Sequence, residues 1–279
     1  TSVTIPESVT SIGNSAFSGC SSLATVNIPT EVTSIGNAAF YGCSSLTVVT
    51  IPSSVTSIGY WAFLGCSSLT SVSIPSSVTN IGHVAFRVCN SLMGITVDED
   101  NTKYSSDERG VLFNKDKTIL IQYPIGNTAT VYEIPEGVTC ISACAFEDCS
   151  SLTSVIIPSS VTSISDCAFY GCSSLTSVTI PSSVTSISDR AFYGCSSLTT
   201  VTIQEGVTSI GNSAFYECSS LKAVIIPSSV KSIGESAFFN CSNLRSVYIT
   251  DLVAWCQIKF DNISSNPLHY NDTGISYWG

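Results

Sequence analysis

The dipeptide Ile-Pro recurs at a fixed interval along this chain. Ile5-Pro6 returns as Ile28-Pro29, Ile51-Pro52 and Ile74-Pro75, each 23 residues after the last. Further copies stand at Ile134-Pro135, Ile157-Pro158, Ile180-Pro181 and Ile226-Pro227, and Val97, Ile203 and Ile249 hold the place without proline. One step, from Val97 to Ile134, is 37 residues. Self-similarity at such a period is the signature of a stacked repeat architecture, in which each unit is one supersecondary element that cannot bury its apolar face alone.

The period also sorts inside from outside. In the copy that begins at Ile51, the fixed apolar positions are Ile51, Val55, Ile58, Ala62, Phe63, Cys66, Leu69 and Val72, separated by variable or Ser/Thr positions. Ser71-Val72-Ser73-Ile74 alternates polar and apolar, which reads as a half-buried strand. The proline that follows lacks an N–H donor and suits the strand's end. Val55-Thr56-Ser57-Ile58 reads as a second short extended segment, and Gly59 as the residue that permits a turn. Asn14, Asn37, Asp166, Asp189 and Asn212 then read as caps for one helical or 3₁₀ turn carrying Ala-Phe-x-x-Cys. The expected fold class is therefore an α/β repeat with a parallel sheet on one face and short helical or 3₁₀ turns on the other.

The run L-x-x-V-x-I-P followed by V-T-S-I-G-x-x-A-F-x-x-C-S-S-L resembles the BspA-type leucine-rich repeat, over nearly all of residues 1–250. Tyr104-Ser105-Ser106 with the stretch Gly110 to Thr118 resembles a hairpin insert common in that family, and Asp251 to Cys256 resembles a segment that closes such arrays. The resemblance implies a leucine-rich-repeat solenoid divided as repeats over 1–97, a hairpin-containing insert over 98–133, repeats over 134–250 and a C-terminal capping segment over 251–279. In that cap, Trp255, Phe260, Tyr270 and Trp278 are expected to supply apolar cover and Asp251 a helix N-cap. It further implies an extracellular or cell-surface protein, since members are mostly surface or secreted proteins of gut and oral bacteria, and the few studied act as adhesins.

Composition narrows the chemistry. With 44% hydrophobic residues the chain can bury a core. Its apolar runs, such as Ile119-Leu120-Ile121, are far below the ~20 residues of a membrane-spanning helix. A net charge of −10 argues against nucleic acid or an anionic membrane as partner. Two histidines, His83 and His269, leave little for His-based catalysis or a multi-His metal site, and no nucleophile elbow, phosphate loop or H-E-x-x-H occurs. No catalytic residue, cofactor or metal ligand is assigned. Asp98-Glu99-Asp100-Asn101 lacks calcium-loop spacing and reads as a solvated charge run. Residues 98–117 hold ten of the thirty charges and read as the least core-like surface, with the turn Asn114 to Lys117 projecting.

Nine of the thirteen cysteines share one repeat position: Cys20, Cys43, Cys66, Cys89, Cys149, Cys172, Cys195, Cys218 and Cys241. Stacked equivalents have parallel Cβ vectors, unsuited to disulfides, so these read as a buried column of small apolar thiols. Cys144 and Cys167 form a shorter column at a more exposed position, where a disulfide or reactive thiol is the lesser of two readings. Sequons stand at Asn240, Asn262 and Asn271. Thr1 falls at a mid-strand position, which reads as a fragment or processed chain, and an uncapped first coil is expected to favour end-to-end self-association.

Outward positions beside the central valine would meet a partner: Asn27, Thr50, Ser73, Ile156, Thr179, Thr202, Ile225 and Tyr248. The functional expectation is a non-enzymatic module that binds protein or glycan, on host extracellular matrix or another cell surface, through many weak contacts. The alternative is a rigid spacer or targeting scaffold for another domain. An ice- or crystal-binding face is disfavoured because the outward columns mix Thr and Ser with Asn, Ile, Val, Ala and Tyr.

Overall fold

The computed structural model describes residues 1–269. Contacts divide the chain into a first unit, Thr1–Thr128, and a second from Ala129 onward. Each is a β-solenoid.

In the first unit, Ser2–Thr4, Thr25–Asn27, Val48–Thr50, Ser71–Ile74 and Gly94–Val97 form one parallel sheet. Ser11–Ile12, Ser34–Ile35, Ser57–Ile58 and Asn80–Ile81 form a second. In the second unit, Val131–Glu133, Ser154–Ile156, Ser177–Ile180, Thr200–Ile203, Ala223–Ile226 and Ser246–Ile249 make the main sheet. Beside it, Cys140–Ile141, Ser163–Ile164, Ser186–Ile187, Ser209–Ile210, Ser232–Ile233 and Lys259–Phe260 pair in parallel. Equivalent repeat positions face one another throughout the coils, as in Val26↔Val49, Val72↔Ile95 and Val178↔Val201. A one-residue slip would turn every buried side chain outward, so the apolar pattern holds the register.

The interior is a set of columns one residue wide. Phe40, Phe63, Phe86, Phe146, Phe169, Phe192 and Phe215 are fully or almost fully buried, whereas Phe17 in the first coil is only half-buried. Their rings stack at centroid distances of 5.2, 5.3 and 5.6 Å in the first unit. In the second they stack at 4.8, 5.0, 5.3 and 5.3 Å. Each buried ring contributes on the order of 2–3 kcal/mol before entropy is subtracted.

The expected helical face is not there. Among the described residues the helices are one α-helical turn, Leu252–Trp255, and one 3₁₀ turn, Ile263–Ser265, both outside the repeats. The reason is backbone conformation. In each coil the residue two before the phenylalanine is left-handed, with φ of 51° at Ala38, 58° at Trp61, 57° at Cys167 and 55° at Arg190. The residue just before the column cysteine is left-handed too: Gly42 (67°), Gly65 (76°), Val88 (58°), Asp148 (55°) and Glu217 (59°). Two such residues four apart prevent any right-handed helical run. They also alternate the direction of the N–H groups. The amides of Ala39, Tyr41 and Cys43 bond three residues back, whereas those of Ala38, Phe40 and Gly42 donate to Tyr60, Ala62 and Leu64 of the next coil at 2.7–2.8 Å. The turn face is thus hydrogen-bonded between coils, as a sheet is.

The glycine that opens this face serves close approach. A Cβ on Gly82 would lie 2.3 Å from the amide nitrogen of Tyr60 in the preceding coil, and Gly82 itself is not left-handed. The Asn/Asp that follows does not cap its own turn. Asn14, Asn37, Asp189 and Asn212 each accept, through a side-chain oxygen, the amide 23 residues on, at 2.7–2.9 Å. Many hydroxyls do equivalent work. Thr56 and Thr79 donate to the carbonyls of Thr33 and Thr56, and Ser54 and Ser77 to those of Val32 and Val55.

The column cysteines carry more than volume. Each thiol from Cys43 onward in the first unit, and from Cys172 onward in the second, donates to the carbonyl of a phenylalanine 26 residues back, at 3.0–3.2 Å. Burial pushes the Cys43 thiol up to about 11 and that of Cys89 to about 12, so both stay protonated donors.

The insert is more embedded than its charge suggests. Tyr104–Ser106, Leu112–Asn114 and Ile119–Gln122 form an antiparallel meander, and Val111, Leu112 and Phe113 are fully buried. Asn101 is fully buried too, so it leaves the solvated run expected of it. Its Nδ2 donates to the carbonyls of Pro75 and Val78 at 2.8 and 2.9 Å, while its Oδ1 accepts the amides of Lys103 and Tyr104, both at 2.8 Å. The insert also covers strand edge: Ile95 N–H donates to Gly110 O, Val97 N–H to Ser106 Oγ and Ile81 N–H to Tyr104 Oη. Gly110 packs so tightly there that a Cβ would meet Gly94 Cα at 2.5 Å.

After Asp251, whose carboxylate accepts the Ala254 amide at 2.9 Å, Trp255 and Phe260 meet edge to face at 5.4 Å. Phe260 extends the short-strand sheet opposite Ile233. Tyr270 and Trp278, the other aromatics expected in the cap, lie outside the described residues.

Candidate functional site

Alternation along each main strand leaves one face of each sheet to solvent. All eight outward residues, Asn27, Thr50, Ser73, Ile156, Thr179, Thr202, Ile225 and Tyr248, are exposed. They belong to two separate ladders. In the first unit, Thr4, Asn27, Thr50, Ser73 and Thr96 are successive cross-strand partners, and every one is polar. In the second, Glu133 stands opposite Ile156, Thr179 opposite Thr202, and Ile225 opposite Tyr248. Ile156 is 50% exposed, and Ile225 and Tyr248 are each 41% exposed, although apolar material is plentiful inside.

Two further surface features escape a reading of the strand alternation. Where the insert folds over the end of the first sheet, an open recess of about 420 Å³ is lined by Ser71, Met93, Thr96, Asp107, Glu108 and Arg109. Asp107 shapes its rim by accepting the amides of Arg109 and Val111 at 3.0 and 2.9 Å. On the turn face of the second unit, Tyr170, Tyr193, Tyr216 and Phe239 stack at 4.8, 4.7 and 5.3 Å. The A-F-Y-G spelling at Tyr170 and Tyr193 carries that signal, because equal residues at equal phase must stack. In the first unit the same positions hold Tyr41, Leu64 and Arg87.

Among the described residues no group of three or more His, Cys, Asp or Glu side chains is arranged to hold a metal ion. No described helix is long and apolar enough to cross a membrane. Asp98 uses a carboxylate oxygen on the amide of Asp100, and His83 is exposed. None of the thirteen cysteines is in a disulfide, and Cys144 and Cys167 are half-buried. Of the sequons, Asn240 and Asn262 are exposed, and Asn271 lies outside the described residues.

Comparison with known proteins gives the same architecture. The sequence profile of the BspA type Leucine rich repeat region matches residues 1–108 and 128–263 in six copies. A leucine rich cell surface protein from Faecalibacterium prausnitzii A2-165 is 35% identical, with a TM-score of 0.69 over 94% of this chain and 82% of that one. A leucine-rich repeat protein from Eubacterium ventriosum ATCC 27560 is 30% identical, with a TM-score of 0.75 over 88% of this chain and 72% of that one. The pneumococcal vaccine antigen PcpA shares the fold at 24% identity, with a TM-score of 0.73 over 94% of this chain and 78% of that one. No curated protein matches the chain. With its 23-residue coils, its phenylalanine and cysteine columns and these matches, the chain belongs to the BspA-type leucine-rich repeat family.

Proposed function

We propose that this chain is a non-enzymatic cell-surface or secreted binding module that engages protein or glycan, on host matrix or another cell, through the outward ladders of its parallel sheets. The observation that carries the reading is the set of apolar side chains on the second unit's outer ladder. Ile156, Ile225 and Tyr248 stand in solvent at positions the fold leaves free to be polar, since Thr179 and Thr202 occupy the same column. Ile225 and Tyr248 are adjacent partners, and contiguous exposed apolar groups rimmed by hydroxyls suit a contact surface. The Faecalibacterium relative, a cell surface protein, supports the location. No aromatic-plus-arginine anchor stands out, so affinity comes from repetition and from presenting several copies together.

The experiment is a binding screen of the chain, immobilised at high density, against matrix proteins and a glycan array. The triple variant Ile156→Glu, Ile225→Glu and Tyr248→Glu is tested alongside. Binding at tens of micromolar or tighter that the variant loses by tenfold or more supports the reading. Absence of binding, or binding the variant keeps, overturns it.

A second reading, a rigid spacer or targeting scaffold, draws on the hydroxyl ladders. Thr153, Thr176 and Thr199 donate to carbonyls of the preceding coil, so these side chains stiffen the stack. It predicts that the same screen finds nothing.

A further inference from the structure

The second unit carries two thiols that the buried column does not explain. Cys144 and Cys167 occupy equivalent positions 23 residues apart, and their backbones are alike, each left-handed at φ 57°. Inter-coil hydrogen bonds on either side hold them in register: Cys144 N–H donates to Asp166 O at 3.1 Å and Phe146 N–H to Ala168 O at 2.7 Å. Parallel coils lie ~4.8 Å apart. That separation falls inside the roughly 4.4–6.8 Å Cα span that a disulfide bridges, and at these half-buried positions, unlike in the enclosed column, the two parallel side chains have room to turn toward each other. Both side chains are half-buried, whereas their neighbours Cys149 and Cys172 are fully enclosed.

The two thiols differ in their surroundings. The Cys144 thiol hydrogen-bonds to the Cys167 sulfur, and this contact, with the exposed Arg190 guanidinium one coil further along the column, lowers the Cys167 pKa to about 7 against the opposing pull of burial, Glu147 and Asp166. Cys149 and Cys172, by contrast, are held protonated by burial. A thiol that titrates near ambient pH combines a large thiolate fraction with retained nucleophilicity.

We propose that Cys167 and Cys144 form a thiol–disulfide exchange site for small-molecule disulfides on the turn face of the second unit, with Cys167 the attacking and Cys144 the resolving residue. In the first step the Cys167 thiolate attacks one sulfur of the disulfide RS–SR. The reagent's S–S bond breaks, a mixed disulfide forms on Cys167, and one RS⁻ leaves. In the second step Cys144 gives its proton to solvent and attacks the Cys167 sulfur, which expels the second RS⁻. Two protein thiols are oxidised to one inter-coil disulfide, and one small disulfide is reduced to two thiols.

Serine is a safe replacement at both places, because Ser15, Ser213 and Ser236 occupy the same turn position at φ 54–56°. The native chain and the variants Cys144→Ser, Cys144→Ala and Cys167→Ser are incubated with oxidised glutathione at pH 7, quenched with acid and mapped by mass spectrometry. The exposed Cys256 serves as internal reference. The wild type is expected to join Cys144 to Cys167 and release two glutathiones per chain. Cys144→Ser is expected to retain a glutathione adduct on Cys167, and in Cys144→Ala, which removes the donor and is tolerated as Ala38 is at the same turn position (φ 51°), the midpoint of the Cys167 rate-versus-pH curve moves upward. Cys167 is expected to react several-fold faster than Cys256 at pH 7. The proposal is overturned if Cys167 reacts no faster than Cys256, if the wild type accumulates only the mixed disulfide, or if Cys144→Ala leaves the Cys167 pH midpoint where it was.

Discussion

In the first unit the rings of Phe40 and Phe63 lie 5.3 Å apart, and in the second those of Phe192 and Phe215 also lie 5.3 Å apart. Their outer surfaces do not match in this way. The first unit presents a polar ladder from Thr4 to Thr96 and an insert that folds over its last strand. The second presents Ile156, Ile225 and Tyr248 on its sheet, a tyrosine stack on its turn face and the Cys144/Cys167 pair. Inside, a residue is set by the shape of its neighbours in the coils before and after, so copies stay alike. Outside, solvent accommodates differences in size and polarity between ladder partners, and individuality collects there.

The comparison breaks most easily at the phenylalanine column. Phe63→Ala and Phe169→Ala are each expected to cost roughly 3–5 kcal/mol, because both rings are fully buried between two others. Urea unfolding of the two variants should give values within about 1 kcal/mol of each other. A much smaller loss at one site would mean that the interiors are not equivalent. Asn101→Ala probes the insert, which only the first unit carries. It leaves the carbonyls of Pro75 and Val78 and the amides of Lys103 and Tyr104 without that partner, at an expected cost of about 2–3 kcal/mol. Wild-type unfolding by that variant would show the insert to be an appendage.

The smallest effect sharpens the contrast between interior and surface. The exposed Glu205 carboxylate, although burial opposes it, is drawn below its ordinary pKa of 4.5 by hydrogen bonds from the amides of Ser228 and Ser229 and the Ser228 hydroxyl. A lowered pKa in the folded chain adds stability above the ordinary value and loses it as pH falls through the folded one. Glu205→Gln should therefore cost roughly 0.3 kcal/mol near neutral pH, and the difference from wild type should close in acid. Thermal melts from pH 3 to 7 measure this, and a gap that widens in acid contradicts the assignment.

Much of the interior was legible in the amino-acid order. Phe63, Cys66, Leu69 and Val72 recur at one phase, and only an inward position tolerates so little variation. The turn face was not legible. Ala-Phe-x-x-Cys has the spacing of a helical turn, and the left-handed residues that forbid one include Trp61, Val84, Cys167 and Arg190, types that give no local hint of that conformation. Asn101 was hidden because three acidic neighbours made it look solvated. Asn37 reads from the sequence as a cap of its own turn and Cys66 as apolar volume, whereas their hydrogen bonds reach the next coil and the preceding one. The outward ladder follows from strand alternation, but exposure alone names no ligand, and the split between a polar and a partly apolar ladder needed the registers.

The alternating amides of the turn face have an evolutionary consequence. There Phe40 N–H points forward to the following coil, while on the opposite side Thr33 and Gly36 donate backward to Thr10 and Ile12. Each junction therefore offers the same mixture of donors and acceptors, wherever in a unit it lies. Duplicating or deleting one whole copy by unequal recombination reproduces the backbone bonds at the new seam. Losing a single residue inside a copy dislocates the ladders on both sides of the coil at once. Such a gene can lengthen or shorten by whole units while its reading of inside and outside stays intact.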